Sequence, residues 1–317
     1  MITTLTPNPS LDRTLSVDRL VRGELTRVSR TTLEPAGKGI NVARALHANG
    51  YDVHAVVPAG GADGVELIRL LALTGVPHTP VPIGNAVRSN ISVVENDGTL
   101  TKLNEPGPAL TAAELAALVT TAIDVTAPEG WLVASGSLAP GSPSDFYASL
   151  ARRGTTSGIR VAIDSSGAAL ANAIAGRPAL VKPNLDELRG IAERPLRTLG
   201  DVVSECQRLV ELGVGAVLAS LGPDGAVVVS REATVHGRVD IGEVRNTVGA
   251  GDTLLAGYLA EPGDPVVSLT RALAWARAAV RSPLTAMAPT NDADFDAVTI
   301  HEVPAIDMAL SEELVDV

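Results

Sequence analysis

The sequence predicts an α/β protein: one large domain in which helices cover both faces of a mainly parallel sheet, with a small β-sheet laid over one edge. Three observations lead there. From residue 111 onward short apolar runs alternate with amphipathic stretches, the pattern of parallel strands joined by helices. The first hundred residues instead hold four half-exposed, alternating segments, which suit a sheet with one wet face. Finally, at roughly 150 residues per domain the length of 317 allows two domains or one large unit with an appendage, and no linker or internal repeat divides the chain.

Taken in order, residues 12–17 and 25–32 alternate as strands, and 40–48 has the helical period. Residues 53–58 form an apolar strand and 65–73 a helix. Residues 87–95 and 99–104 read as strands joined by the hairpin turn Asn96-Asp97-Gly98. The two pairs of alternating segments are separated insertions, expected to build one lid over a substrate site from about 12–32 and 87–104. Beyond them the alternation is regular: strand 131–134 and amphipathic 143–152, strand Arg160–Asp164 and helix 167–175, strand 180–182 and helix 185–192. Residues 201–212 have the helical period, 216–221 and Ala226–Ser230 are apolar strands about a Gly-containing turn, and 250–259 and 267–280 are alanine-rich helices.

Composition narrows the partners. Hydrophobic residues make up 45% and charged residues 19%, with 30 Gly and 21 Pro scattered rather than clustered, which excludes fibrous and low-complexity classes. The formal charge of −11 is a poor match to nucleic acid, while a local basic pocket for a small phosphate stays open. A single cysteine, Cys206, rules out an intrachain disulfide or a multi-cysteine zinc site. Residues 1–9 lack the charged and apolar regions of a signal peptide, and no uncharged apolar run reaches about 18 residues, so a cytoplasmic protein without a membrane partner is expected. Lysine occurs only at Lys38, Lys102 and Lys182, in a chain that otherwise uses arginine. The histidines His47, His54, His78, His236 and His301 show no metal-ligand spacing.

The chemistry concentrates in Asn246-Thr247-Val248-Gly249-Ala250-Gly251-Asp252-Thr253, which opens a helix. Glycines let a ligand approach the backbone, and unpaired amides at a helix N-terminus suit an anion such as a phosphoryl group. Asp252 is then placed to accept a proton from an attacking hydroxyl. The same pattern serves equally as a glycine turn followed by an acid that complements the helix dipole. Neither a Gly-x-x-x-x-Gly-Lys-Ser/Thr loop nor a helix-opening Gly-x-Gly-x-x-Gly after the first strand is present.

Gly249-Ala250-Gly251-Asp252 together with Ala36-Gly37-Lys38-Gly39-Ile40-Asn41-Val42-Ala43-Arg44 resembles the two signatures of the PfkB, or ribokinase-like, carbohydrate kinase family. More narrowly, Thr6-Pro7-Asn8-Pro9-Ser10-Leu11-Asp12, Lys102-Leu103-Asn104-Glu105-Pro106-Gly107-Pro108, Ser135-Gly136-Ser137-Leu138 and Lys182-Pro183-Asn184-Leu185-Asp186-Glu187 are similar to its 1-phosphofructokinase and tagatose-6-phosphate kinase branch. Nearly the whole chain follows the family's order. The resemblance implies a ribokinase-like three-layer αβα sandwich with a β lid, using ATP and Mg²⁺.

It also implies roles. Asp252 becomes the general base, and the amides of Gly249, Ala250 and Gly251 an anion hole for the γ-phosphoryl group. Asp12 and Asn41 would hold sugar hydroxyls, with Asn90 and Ser137 in the same subsite. Gly37 would let the sugar approach the backbone, and Lys38 with Arg88 would meet the phosphate already on the substrate. On the nucleotide side stand Lys182, Asn184, Glu187, Ser220, Gly222 and Gly225, with Asn184 and Glu187 ordering water around Mg²⁺. Read without the family, Asn184 and Glu187 are also a helix cap with its reciprocal acid, and 220–225 a plain hairpin turn. Asp164 ends a predicted strand where functional groups collect, yet a lone acid there stays unassigned. The sequence departs from the family pattern at Asn246, where Asp is usual, and at Ala36 and Ala139. The implied acceptor is fructose 1-phosphate, with tagatose 6-phosphate and fructose 6-phosphate as alternatives and a non-catalytic sugar-phosphate-binding regulator as a remote one. Surplus apolar residues on the lid (Leu15, Val17, Leu25, Val28, Ile91, Val93, Leu103) predict a homodimer through that sheet.

Overall fold

The computed structural model describes residues 1–261, 263–282 and 289–311. The chain begins with β1 (Ile2–Leu5), leaves for the lid as β2 (Ser10–Val17) and β3 (Val28–Ala36), and returns as α1 (Lys38–Ala48), β4 (Val53–Ala59), α2 (Gly61–Leu73) and β5 (His78–Pro82). The lid is completed by β6 (Arg88–Glu95) and β7 (Leu100–Asn104). The body continues through α3 (Ala112–Val125), β8 (Trp131–Ser135), α4 (Phe146–Thr156), β9 (Arg160–Asp164), α5 (Gly167–Ala173), β10 (Leu180–Val181) and α6 (Leu185–Ile191). Then come α7 (Leu199–Glu211), β11 (Ala216–Ser220), β12 (Ala226–Ser230), β13 (Thr234–Val239), α8 (Ala250–Ala260), α9 (Pro265–Arg281), α10 (Asp292–Asp296) and β14 (Val298–His301).

The central sheet is 10-stranded, in the order β14-β13-β12-β11-β10-β9-β8-β1-β4-β5. From β11 to β5 every neighbour runs parallel, and β12, β13 and β14 add an antiparallel edge. Apolar residues fill both faces. Ile40, Leu67, Leu255 and Leu269 of α1, α2, α8 and α9 pack on one, and Leu118, Leu150, Leu188 and Val202 of α3, α4, α6 and α7 on the other. The expected three-layer αβα sandwich is therefore the observed one. Among the described residues no helix is long and apolar enough to cross a membrane.

Several elements escaped the sequence reading for physical reasons. β1 is wholly buried yet carries Thr3 and Thr4, which look polar on paper. β5 contains Pro80 and Pro82, tolerated because it is an edge strand. β13 contains Gly237, where a Cβ would come within 2.5 Å of Leu273 on α9. α3 starts with a capping box, Thr111 and Glu114, a readable signal that the strand alternation overshadowed.

The lid is a 4-stranded sheet, β3-β2-β6-β7. β3 runs on to Ala36, four residues past the expected boundary, because its antiparallel register pairs Ser10 with Ala36. Pro35 is tolerated on this edge strand. Asp12 lies opposite Glu34 and Asn90, and Ser10 opposite Arg88, so Asp12, Asn90 and Arg88 share one face. Leu15, Ile91, Val93 and Leu103 belong to the other. Leu25 lies outside the strands, 80% exposed.

Strand order changes direction at β1: β4 and β5 extend one way, β8 to β11 the other. The crevice at such a switch point, beyond the carboxyl ends of the strands, is where open α/β sheets bind ligands. Asn8 follows β1, Ser137 follows β8, Asp164 ends β9, Lys182 follows β10 and Ser220 ends β11.

Candidate active site

At the start of α8 the signature residues form a tight turn. The backbone amide of Val248 donates to Asn246 Oδ1 at 2.9 Å, and Gly249 caps the helix at φ 81°, a conformation that favours glycine. Asn246 thus fills its position as a turn former. The Thr253 hydroxyl donates to Gly249 O at 2.9 Å, fixing the first turn. Of the three amides expected to form the anion hole, that of Ala250 donates to Thr247 O at a long 3.3 Å. The third helical residue is Asp252, 6% exposed, and the first-turn amides beside it are the ones a helix leaves without intrahelical partners.

Helix α1 packs on α8 and brings Asn41 to Asp252, Nδ2 donating to Oδ2 at 2.8 Å. Burial, with the nearby charge of Asp164, pushes the Asp252 carboxyl up from 3.8 to about 6; Asn41, Lys38 and Lys182 hold it from rising further. A base near neutrality is what proton abstraction at cellular pH requires.

Asp164, unassigned from the sequence, is the floor of this site. It is fully buried, with Lys38 Nζ 2.9 Å from Oδ1 and Lys182 Nζ 3.5 Å from Oδ2. Lys38 is also 3.6 Å from Glu187 Oε1. Burial alone would lower the Lys38 ammonium, but Asp164 and Glu187 outweigh it and the net shift is upward. Two of the chain's three lysines thus converge on one acid. Lys182 Nζ further lies 3.4 Å from where a Cβ on Gly251 would stand, which places it against the signature turn.

A second group of polar side chains lies at the lid. Asp12 Oδ1 accepts from Ser10 Oγ at 2.7 Å and from Asn90 Nδ2 at 3.0 Å, while Asn90 Oδ1 is buried without a hydrogen-bond partner. Gly37 caps α1 where a Cβ would stand 2.6 Å from Thr6 Cγ2. Arg88 donates to the carbonyls of Glu105 at 3.1 Å and Asn8 at 3.0 Å, and burial pushes its guanidinium down. Asn8, which the sequence reading gave no role, is 5% exposed; its Nδ2 donates to Pro106 O at 3.0 Å and Ser137 Oγ at 3.3 Å. It thereby ties the exit of the lid to the loop after β8. Arg88 and Lys38, expected together, share no bonding partner: one is held at the hinge of the lid, the other over Asp164.

On the remaining side, Asn184 and Glu187 form the capping box of α6, Asn184 Oδ1 accepting from Glu187 N at 2.7 Å and Glu187 Oε2 from Asn184 N at 2.9 Å. Glu187 Oε1 stays directed at Lys38, and Asn184 is bridged to Ser220 on β11. Gly222 and Gly225 sit in the short loop from β11 to β12. At the approach to the signature turn, a cleft of about 330 Å³ is lined by Arg245, Arg281, Asn291 and Asp294 among others; sequence reasoning gave no sign of it. Asp164 and Glu187 offer carboxylate oxygens, hard donors of the kind Mg²⁺ takes through water; each carboxylate also has a lysine ammonium within 2.9–3.6 Å, and among the described residues no three acids or histidines converge as a direct metal site.

With this geometry in view, the comparisons are consistent with one another. The model of the pfkB family carbohydrate kinase matches residues 8–291. The 1-phosphofructokinase of Rhodobacter capsulatus is 34% identical over 261 residues, 81% of this chain and 82% of that protein. The ATP-dependent 6-phosphofructokinase isozyme 2 of Escherichia coli is 37% identical over 257 residues, 80% and 83% of the two chains. The crystal structure of Escherichia coli phosphofructokinase-2 in complex with potassium superposes with a TM-score of 0.87 at 34% identity, covering 93% of this chain and 96% of that one. This chain belongs to the pfkB family of carbohydrate kinases, with the ribokinase-like fold, and is an ATP-dependent sugar kinase.

Proposed function

We propose that this kinase phosphorylates a ketohexose phosphate, fructose 1-phosphate at its 6-hydroxyl, giving fructose 1,6-bisphosphate and ADP. The observation that carries the chemistry is Asp252, buried beside a Gly-Ala-Gly turn and tuned to about 6, so that most of it is ionised at neutral pH. The acceptor hydroxyl gives its proton to Asp252 as its oxygen attacks the γ-phosphorus, and the bond to the ADP oxygen breaks. First-turn amides of α8 offset the charge growing on the phosphoryl oxygens. Lys38 and Lys182, held by Asp164, neutralise charge in the same zone. Asn184, Glu187 and Asp164 would hold Mg²⁺ through water, which when bound shields the nucleotide phosphates. Ser220, Gly222 and Gly225 line the nucleotide's phosphates and ribose, and the Arg245–Arg281 cleft has room for the base.

Asp12, Asn90, Asn41 and Ser137 take sugar hydroxyls, Gly37 the close approach of the ring, and Arg88 the phosphate the acceptor already carries. Arginine's planar fork suits that dianion. The Rhodobacter capsulatus relative supports fructose 1-phosphate, and the Escherichia coli relative supports fructose 6-phosphate as the second reading. A kcat/KM panel over fructose 1-phosphate, fructose 6-phosphate, tagatose 6-phosphate, fructose and ribose decides. Fructose 1-phosphate is expected to lead, and a free sugar leading would overturn the assignment of Arg88.

A further inference from the structure

After β14 the chain crosses the start of α7 and ends its described course at the loop between β11 and β12. Along the way it serves as a backbone partner. Leu199 and Gly200, whose amides belong to the first turn of α7 and have no intrahelical acceptor, donate to Met308 O at 2.9 Å and Ile306 O at 2.8 Å. Leu310 N donates to Arg197 O at 3.0 Å, and Thr198 bridges Ala309 antiparallel. Glycine at 200 makes room: a Cβ there would stand 2.9 Å from Ile306 O. Met308 and Leu310 pack on the core beneath.

The segment then reaches Asp224, in the middle of Gly222-Pro223-Asp224-Gly225. Ser311 N donates to Asp224 Oδ2 at 2.6 Å and Ser311 Oγ to Oδ1 at 3.0 Å. Asp224 is 3% exposed; Arg238 lies 3.7 Å from its carboxylate, and its carbonyl oxygen lies 2.8 Å from His236 Nε2. The loop lies flat on β13, since a Cβ on Gly225 would be 2.0 Å from Gly237 O. A buried carboxylate is costly unless donors satisfy it, and both oxygens of this one accept from a residue 87 positions away. A short turn between two strands needs no such distant brace for its own sake.

We infer that residues 302–311 form a strap that positions the Gly222–Gly225 loop for the nucleotide, with Asp224 as the positioning residue and Ser311 as its clamp. The inference rests on the proposed nucleotide role of that loop. The strap sets the loop's height over the sheet, and ATP binding reads whether it is fastened.

The test uses Ser311→Ala and Asp224→Asn in the full chain, with Ser311→Thr as the variant that keeps the hydroxyl. Asp224→Asn is expected to raise KM for ATP about 10-fold and Ser311→Ala about 3-fold, with kcat and KM for the sugar phosphate within about twofold of the parent. Ser311→Thr restores KM for ATP. In the absence of any ligand, amide exchange across 221–226 should speed up in Ser311→Ala and Asp224→Asn, while Ser311→Ala, on an exposed segment, keeps its melting temperature. Unchanged exchange would break the strap itself. Faster exchange with an unmoved KM for ATP would instead remove the loop from the nucleotide site, and the proposal with it. An equal rise in KM for both substrates would overturn it as well.

Discussion

Replacing Asp252 with asparagine should make the enzyme more stable and nearly inactive, and the same number governs both effects. The native carboxyl titrates at about 6, against an ordinary 3.8, because burial and Asp164 disfavour its charge. Between those two values the native state binds more protons than the unfolded chain, so stability falls as pH rises through the window and stays lowered above it. At about 1.36 kcal/mol per pH unit, the rise corresponds to roughly 3 kcal/mol of stability surrendered at pH 8. Asparagine is neutral at every pH and keeps an oxygen for Asn41. The variant should therefore melt higher than the parent at pH 8, by about 5 °C, with the gap shrinking toward zero near pH 4.

Activity should move the other way. A positioned general base contributes about 10²–10⁴, so kcat of the variant falls by that factor while KM for ATP and for the sugar phosphate stay close to the parent's. In the parent, kcat/KM should decline below about pH 6 as the carboxyl takes up its proton. ADP release in a coupled assay and thermal unfolding between pH 4 and 8 measure both. Near-normal kcat in the variant would remove Asp252 from the chemistry, and a variant less stable than the parent at pH 8 would refute the desolvation argument.

Three further outcomes are expected. Arg88→Ala should raise KM for the sugar phosphate roughly 10- to 150-fold and leave KM for ATP alone, since it removes one charge-assisted contact; the reverse pattern would mean that the ends of the cleft are exchanged. Gly107→Ala should cost about 1–3 kcal/mol and loosen the lid hinge, because Gly107 has φ 91° and a Cβ would stand 2.2 Å from Asn8 Oδ1; denaturant midpoints unchanged within error would contradict this. Light scattering at tens of micromolar should show a homodimer, because on the lid face away from Asp12 and Asn90 Leu103 is 58% and Val28 45% exposed; a monomer at that concentration would exclude the contact.

What the sequence shows about this protein is local. The period-2 runs of the lid, the strand-helix alternation of the body and the Gly-Ala-Gly-Asp turn each fit within about a dozen residues, and each appears in the structure near its expected place. Asp164 does not work that way. It is one acid at the end of one strand until Lys38, 126 residues away, arrives beside it on another element. Asn8 is similar: a polar residue in a proline-rich loop gains a role only when Pro106 and Ser137 are brought to it. The direction of Lys38 was also closed to sequence, because a lysine next to a glycine turn can reach either side of the cleft, and the choice is made by which acid is buried within its reach.

The charge balance at the centre of the candidate site bears on how a nucleotide would be held there. Lys38 and Lys182 stand among Asp164, Glu187 and Asp252, two cations against three carboxylates. With Asp252 ionised the cluster is negative before any substrate enters, in a chain whose formal charge is −11. A triphosphate entering such a place meets no net attraction from side-chain charge. Amide dipoles at the start of α8 supply only partial positive charge. On the proposed site assignment, the remaining attraction would come from a divalent cation bound with the nucleotide, which prefers oxygen donors and keeps its waters. Asp164, buried with Lys38 Nζ at 2.9 Å and Lys182 Nζ at 3.5 Å, holds both ammonium groups in one place, and on the same proposal the metal that accompanies ATP would provide the surplus of positive charge.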